Sequence, residues 1–154
     1  MRKTISIAAA AVAVVLVAGY VAQAGTGHEK RATVIDVVER ATTDLVIDAG
    51  ATGDSSGDLL TFANDLYDET NTHKVGRDQG DCIRINTTEG SWECRWINFL
   101  KGGAITVEGP FYDSHNSVMV ITGGRGKYKG ASGSMQLKVL PDGSGFHFIF
   151  RVLA

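Results

Sequence analysis

Two cysteines, Cys82 and Cys94, have the spacing in this chain that most directly predicts a chemical bond. Residues 82–86 (CIRIN) and 91–96 (SWECRW) have the pattern of β-strands, and the TTEG between them has the composition of a hairpin turn. A turn centred on Thr88 places the two cysteines directly opposite each other, close enough for a disulfide. The pair therefore predicts a cross-linked antiparallel hairpin in a protein that leaves the cytosol.

Asp36 is the candidate for acid–base or charge-stabilising chemistry. It lies in a β-rich segment, residues 33–39 (TVIDVVE), one face of which is expected to line an interior. A buried carboxyl group has a raised pKa or a partner, and acts as an acid, a base or a stabiliser of positive charge. The alternatives are a solvent-facing aspartate and one paired with an arginine. Glu39 takes the role if the register slips by one residue, because a slip exchanges the two faces.

Asn64 interrupts an otherwise apolar face. In segment 58–67 (DLLTFANDLY), Leu60, Phe62, Asn64 and Leu66 share one side of a strand. An amide in such a place is either a hydrogen-bonding group in a binding cavity or a structural amide near the rim of the fold.

Three further patterns give weaker support for a catalytic, phosphate-binding or metal site. Segment 53–57 (GDSSG) matches G-x-S-x-G, but a nucleophile elbow needs a strand before it and a helix after it, so we expect a loop. Segment 124–130 (GRGKYKG) lacks the ending of a phosphate-binding loop and predicts a tight turn or bulge. The four histidines and two cysteines have no metal-ligand spacing, so the sequence predicts neither a metal nor a cofactor.

The N-terminus predicts export. Two basic residues precede an apolar run over residues 7–22, and residues 22–24 (AQA) form a small-x-small cleavage site. Residues 1–24 therefore have the pattern of a secretory signal peptide, with an uncleaved anchor as the alternative. Cleavage removes two basic residues and takes the formal net charge from -2 to -4. We expect a secreted or extracytoplasmic protein with no membrane contact after cleavage, and the mild acidity argues against nucleic acid as a partner.

An all-β domain must position these groups. Residues 25–31 are expected to be a flexible leader and residues 32–154 a single domain. Short alternating segments separated by Gly, Asp, Asn and Ser predict about eight antiparallel strands joined as near neighbours. Such strands can close into an eight-stranded antiparallel β-barrel, whose interior is filled by side chains or holds one small ligand.

The order of the motifs resembles the allene oxide cyclase barrel, a relative of the plant dirigent proteins. The resemblance rests on segments 57–67 (GDLLTFANDLY), 75–82 (VGRDQGDC), 105–109 (ITVEG) and 120–131 (VITGGRGKYKGA). It implies a closed barrel whose apolar cavity holds an unstable fatty-acid epoxide in a ring-closing conformation. It also implies a homo-oligomer, typically a trimer.

The resemblance further implies the site residues. The expected ligand-binding residues are Leu60, Phe62, Asn64, Cys82 and Phe111. Asp36 is similar to a carboxylate of the family's first strand, whereas Val38 stands in place of an asparagine. Phe111 stands in place of a pocket tyrosine, and Cys94 is not part of the plant cyclase pattern.

Three functions are therefore open. The first is an isomerase or cyclase that steers an apolar or amphipathic small molecule. The second is a non-catalytic carrier of such a molecule. The third is an exported structural or interaction domain with a filled barrel. A cavity with a buried carboxyl group favours the first, a cavity without one the second, and a solid interior the third.

Overall fold

A computed structural model describes residues 32–153 of the chain. The predicted signal peptide, residues 1–24, and the leader, residues 25–31, lie outside the described residues. The described part contains these strands: β1 (Thr33–Arg40), β2 (Leu45–Ile47), β3 (Leu59–Phe62), β4 (Asp65–Asp68), β5 (Lys74–Asn86), β6 (Ser91–Leu100), β7 (Gly103–Tyr112), β8 (Ser117–Gly126), β9 (Ser132–Val139) and β10 (Gly145–Leu153). Over the same residues no helix is long and apolar enough to cross a membrane.

The ten strands make an eight-stranded closed barrel because two of the barrel strands are each broken in the middle. β1 and β2 are successive pieces of one strand, and β3 and β4 are pieces of the next, since β1 pairs with β4 and β2 with β3. Both β3 and β4 then pair with β5. From β5 to β10 each strand pairs antiparallel with the next, and β10 pairs with β1. The predicted closed eight-stranded antiparallel barrel is confirmed.

The breaks in the two neighbouring strands lie side by side in the barrel wall. At the break the side-chain oxygen of Asn64 accepts hydrogen bonds from the backbone N–H groups of Thr42 (3.0 Å) and Thr43 (2.9 Å). The hydroxyl of Thr43 accepts one from the N–H of Ala63 (2.8 Å). These side chains replace the ladder hydrogen bonds that the break removes. β10 begins opposite Arg40, so β2 runs on without a partner on that side and the described barrel wall is open there.

The barrel interior is mostly apolar, as the alternation of the strands requires. Its fully buried large side chains include Leu66, Ile105, Val107, Met119, Met135, Phe148 and Phe150. On the outside, by contrast, several apolar side chains remain exposed, among them Ile83, Ile85, Val118 and Val120.

The two glycine-containing motifs are structural. Segment 53–57 is a loop followed by strand β3, as predicted. Asp58 holds this loop by accepting hydrogen bonds from the backbone N–H groups of Ser55, Ala49 and Gly50, and those bonds lower the pKa of Asp58. Segment 124–130 ends β8 and forms a tight turn in which Gly126 and Gly130 have φ of 65° and 76°. Left-handed backbone at these positions favours glycine.

Candidate functional site

A small cavity lies near the end of the barrel where β1 and β7 end and β10 begins. Its volume is about 50 Å³, which is room for a few water molecules. Its lining is apolar apart from two carboxyl groups, those of Glu39 and Asp44. The apolar lining consists of Leu60, Phe62, Cys82, Cys94, Trp96, Phe111, Leu137 and Phe146. Four of these, Leu60, Phe62, Phe111 and Phe146, are only partly buried and pack against the core.

Four of the five predicted ligand-binding residues meet in this wall, namely Leu60, Phe62, Cys82 and Phe111. Alternation along β3 and β5 brings the first three to one face, and β7 supplies Phe111. The fifth residue, Asn64, is buried behind the wall rather than in it. That the four bind a ligand stays a prediction.

Cys82 and Cys94 form the predicted disulfide. They are directly opposite each other in β5 and β6, and each is 2% exposed. Both line the cavity. Cys82 therefore lines the cavity as half of a disulfide and not as a free thiol. The cross-link ties the two strands together beside the site.

Asn64 holds two carboxyl groups at the cavity. Its side-chain Nδ2 donates to Glu39 Oε1 at 2.8 Å and to Asp44 Oδ1 at 2.7 Å. Its Oδ1 is already occupied by Thr42 and Thr43. Both ends of the amide are therefore hydrogen-bonded within the protein, as the structural alternative expects, while a role of Asn64 in ligand binding stays a prediction.

Glu39 shares its surroundings with a second buried carboxyl group, Asp78. Burial, followed by the charge of Asp78, raises the pKa of Glu39 well above 4.5. Burial also raises the pKa of Asp78 to about 7, against a hydrogen bond from the Asn64 backbone that lowers it. Asp78 Oδ1 accepts the N–H of Asn64 at 3.1 Å. An ionised Asp78 therefore opposes the ionisation of Glu39, so the two buried carboxyl groups do not titrate independently.

Because the pKa values of Glu39 and Asp78 are raised, this cluster of acidic side chains can hold protons. Within residues 32–153 no group of three His, Cys, Asp or Glu side chains is arranged to hold a metal ion. Burial is the largest cause of the raised pKa of both Glu39 and Asp78.

Asp36 lies on the other face of β1. Its carboxylate contacts Nε2 of His147, and both side chains are about 30% exposed. Because faces alternate, Asp36 points away from the interior that Val37 and Glu39 enter. The expectation that Asp36 lines the cavity is corrected: the carboxyl group there is Glu39, the alternative in the other register. A catalytic role for either residue stays a prediction.

A charged cluster lies on the same two strands as the disulfide, two residues further along. The buried Arg84 donates from Nη1 to Asp113 Oδ2 at 2.6 Å and stacks 3.9 Å from the ring centre of Trp92. Its Nε lies 2.8 Å from Asp54 Oδ1, an ion pair in which the N–H is not directed at that oxygen. Asp54 belongs to the loop between β2 and β3, so Arg84 ties this loop to the rim. Trp92 lies opposite Phe111 of the cavity wall.

Sequence reasoning missed Asp78, whereas alternation placed Trp96 on the face of Cys94. Asp78 lies on the same face of β5 as Cys82, four residues away, so the period of two would have placed it inside. Trp96 shares a face with Cys94 in the same way. The signal was available in the alternation, but an isolated aspartate in a strand gives no sign that it is buried.

Comparison with known proteins places this barrel among related folds. The allene oxide cyclase family model matches residues 30–151. A pyocyanin demethylase structure is 20% identical, with a TM-score of 0.68 over 77% of this chain and 99% of that chain. A pterocarpan synthase dirigent protein is 16% identical, with a TM-score of 0.62 over 80% and 94%.

A third structure, an exo-specific intermolecular Diels-Alderase, is 16% identical, with a TM-score of 0.60 over 79% of this chain and 97% of that chain. Identities this low establish the shared barrel fold and nothing about the reaction. The family match extends over most of the described residues and includes β1, β5 and β6, which build the cavity.

Proposed function

The chain belongs to the allene oxide cyclase family, and from that premise we propose that it binds an apolar or amphipathic small molecule in the barrel cavity and steers its cyclisation or isomerisation. One observation carries the proposal. A buried carboxyl group, Glu39, whose pKa is raised by burial, stands in the mostly apolar wall of the cavity. A purely structural barrel has no use for such a group, since its burial is costly. The structural neighbours include a pterocarpan synthase dirigent protein and an intermolecular Diels-Alderase, which supports the same class of role.

The chemistry expected of this site is modest. An apolar wall that holds one reactive conformation can supply several kcal/mol, roughly 7 to 11 in the best cases, without a nucleophile. Glu39 can place its proton on a ligand oxygen as that atom gains negative charge, which leaves Glu39 as a carboxylate, and Asp78 behind it can then return a proton to Glu39. Asn64 keeps Glu39 in one orientation throughout.

The size of the cavity limits the ligand. Ligand pockets commonly measure roughly 300 to 1,000 Å³, whereas this one measures about 50 Å³. The partly buried rings of Phe111 and Phe146 contact each other edge-on, with centroids 5.5 Å apart. We propose that these rings move apart when a ligand enters, because they are the partly exposed part of the wall.

The test uses a Glu39→Gln variant and an allene oxide. In an achiral solvent ring closure gives equal amounts of two enantiomers, so steering is measured as an excess of one enantiomer by chiral chromatography. We expect an excess with the wild-type protein and none with Glu39→Gln, whose amide keeps the shape and the hydrogen bond from Asn64 but has no acidic proton. Asp81→Asn, on the exposed face of β5, is the matched control and keeps the excess.

Binding of a hydrophobic fluorescent probe separates the alternatives. Binding by wild type without any enantiomeric excess would identify a carrier. No binding at all would identify a filled structural barrel. An excess that survives in Glu39→Gln would remove the acid from the mechanism and leave only conformational steering.

We also propose that the protein works outside the cytosol as a homo-oligomer. A buried disulfide is typical of proteins in an oxidising compartment. The exposed valines Val118 and Val120 of β8, each 58% exposed, offer an apolar outer face that a second copy of the chain would cover.

A further inference from the structure

The two tryptophans of the chain differ in one respect. Both are buried, but the indole Nε1 of Trp92 donates to Asp113 Oδ1 at 2.8 Å. The indole Nε1 of Trp96 is buried and has no acceptor among residues 32–153. Buried indole N–H groups usually have a partner, because an unpaired donor in an apolar surrounding destabilises the folded state. The lack of an acceptor for the Trp96 N–H therefore requires an explanation.

The position of Trp96 is determined by its neighbours. Gly80 lies opposite it in β5, and a Cβ at that glycine would collide with the Cβ of Trp96 and with the backbone oxygen of Arg95. The indole packs against the rings of Phe62 (5.8 Å between centroids) and Phe148 (5.7 Å). All of these contacts are apolar. The indole is thus fixed in the cavity wall by residues that cannot satisfy its N–H.

We propose that Trp96 is the specificity-determining donor of this cavity, and that its N–H binds an acceptor oxygen of a neutral, otherwise apolar ligand. The inference rests on the proposed function, since it names the chemical class of the molecule that the cavity holds. A carbonyl or ether oxygen satisfies the indole, and the rest of the molecule contacts Phe62, Leu60 and the disulfide. Binding then recovers the cost of a donor that the folded protein leaves unpaired.

The charges around the cavity favour a neutral ligand over an anionic one. Asp44 stands at the exposed side of the lining, and the Glu39–Asp78 pair lies behind it. The nearby Arg84 is already paired with Asp54 and Asp113, so its charge is not free to receive an anion. A carboxylate ligand would meet acidic groups and no unpaired cation among the residues described around the cavity.

The test compares two probes of equal size, cyclohex-2-enone and cyclohexene, by ¹⁵N–¹H spectroscopy of the full chain. The sequence contains two tryptophans, so two indole N–H signals are expected, and Trp96→Phe and Trp92→Phe each identify one of them. We expect the ketone to shift the Trp96 signal downfield and leave the Trp92 signal in place. We expect it to bind about 3- to 10-fold more tightly than the hydrocarbon, as one net hydrogen bond predicts.

Trp96→Phe keeps a ring in the wall and removes only the donor, so its two probe affinities should become equal, while Trp92→Phe keeps the preference. Equal binding of both probes to wild type, with no selective shift of the Trp96 signal, would overturn the role of Trp96 and leave the cavity function standing. Failure of both probes to bind would overturn the cavity function itself. The wild-type spectrum decides the question even if one variant does not fold.

Discussion

Replacing Asp78 by asparagine should stabilise the protein above neutral pH. Asp78 is fully buried in β5, and one of its oxygens has no hydrogen-bond donor among the described side chains. The residue directly opposite, Asn98, also has an unpaired oxygen. An amide at position 78 keeps the bond to the N–H of Asn64 through its oxygen and adds an NH₂ group to a region with too many acceptors.

The magnitude follows from the pKa of Asp78, which burial raises from 3.8 to about 7. The folded protein keeps this proton up to about pH 7, whereas the unfolded chain loses it near pH 4. Unfolding free energy therefore falls as the pH rises between these values and levels off above pH 7. A shift of about three pKa units corresponds to a loss of about 4 kcal/mol. Asparagine cannot ionise and escapes this loss, although burial still raises the pKa of Glu39 in the variant.

Urea denaturation at pH 4, 6 and 8 under non-reducing conditions measures the effect. Asp78→Asn should exceed wild type by up to about 4 kcal/mol at pH 8 and by little at pH 4. Asp81→Asn, exposed on the opposite face of the same strand, should follow wild type at every pH. A variant that is less stable than wild type at pH 8, or whose gain does not change with pH, would refute the reasoning.

Further outcomes are expected for the disulfide and for the oligomeric state. Free-thiol labelling of the denatured, unreduced protein should detect neither cysteine. The Cys82→Ser/Cys94→Ser variant should lose about 3 kcal/mol, a loss that Asp78→Asn should offset at pH 8 in a denaturation curve of the triple variant. Light scattering at micromolar concentration should report an oligomer, a trimer by the family resemblance, and Val118→Lys should shift it towards a monomer; a monomeric wild type would contradict the proposed interface.

The sequence was sufficient for the barrel and for most of its wall. Alternation in segment 58–67 and the spacing of Cys82 and Cys94 both depend on local geometry, which a strand imposes wherever it lies. The face of β1 was not predictable in the same way. TVIDVVE has apolar residues on both faces, so a carboxylate at position 36 or 39 fits either register, and only the pairing with β10 and β4 selects Glu39.

The break in the strand at Asn64 could not be predicted from the sequence, for a different reason. Segment 58–67 has a continuous strand pattern, and the asparagine occupies an inward position like its neighbours. The strand is interrupted by a partner distant in sequence, the bend at Thr42 and Thr43. The backbone N–H groups of these two residues donate hydrogen bonds to the side-chain oxygen of Asn64. Local propensity cannot report a hydrogen bond made with a residue more than twenty positions away.

The carboxyl pair and the disulfide lie on the same strand, and their energies are comparable. Keeping Asp78 ionisable costs about 4 kcal/mol above neutral pH, and closing the short loop between the two cysteines contributes about 3 kcal/mol. Cys82 lies four residues from Asp78 on the same face of β5, near enough to stiffen that wall and far enough for the two effects to add. A barrel selected for stability alone would carry an apolar residue at position 78. The disulfide near Asp78 instead offsets the cost of burying the Glu39–Asp78 pair in a small β-protein. Such a buried pair is what an acid in an apolar cavity requires.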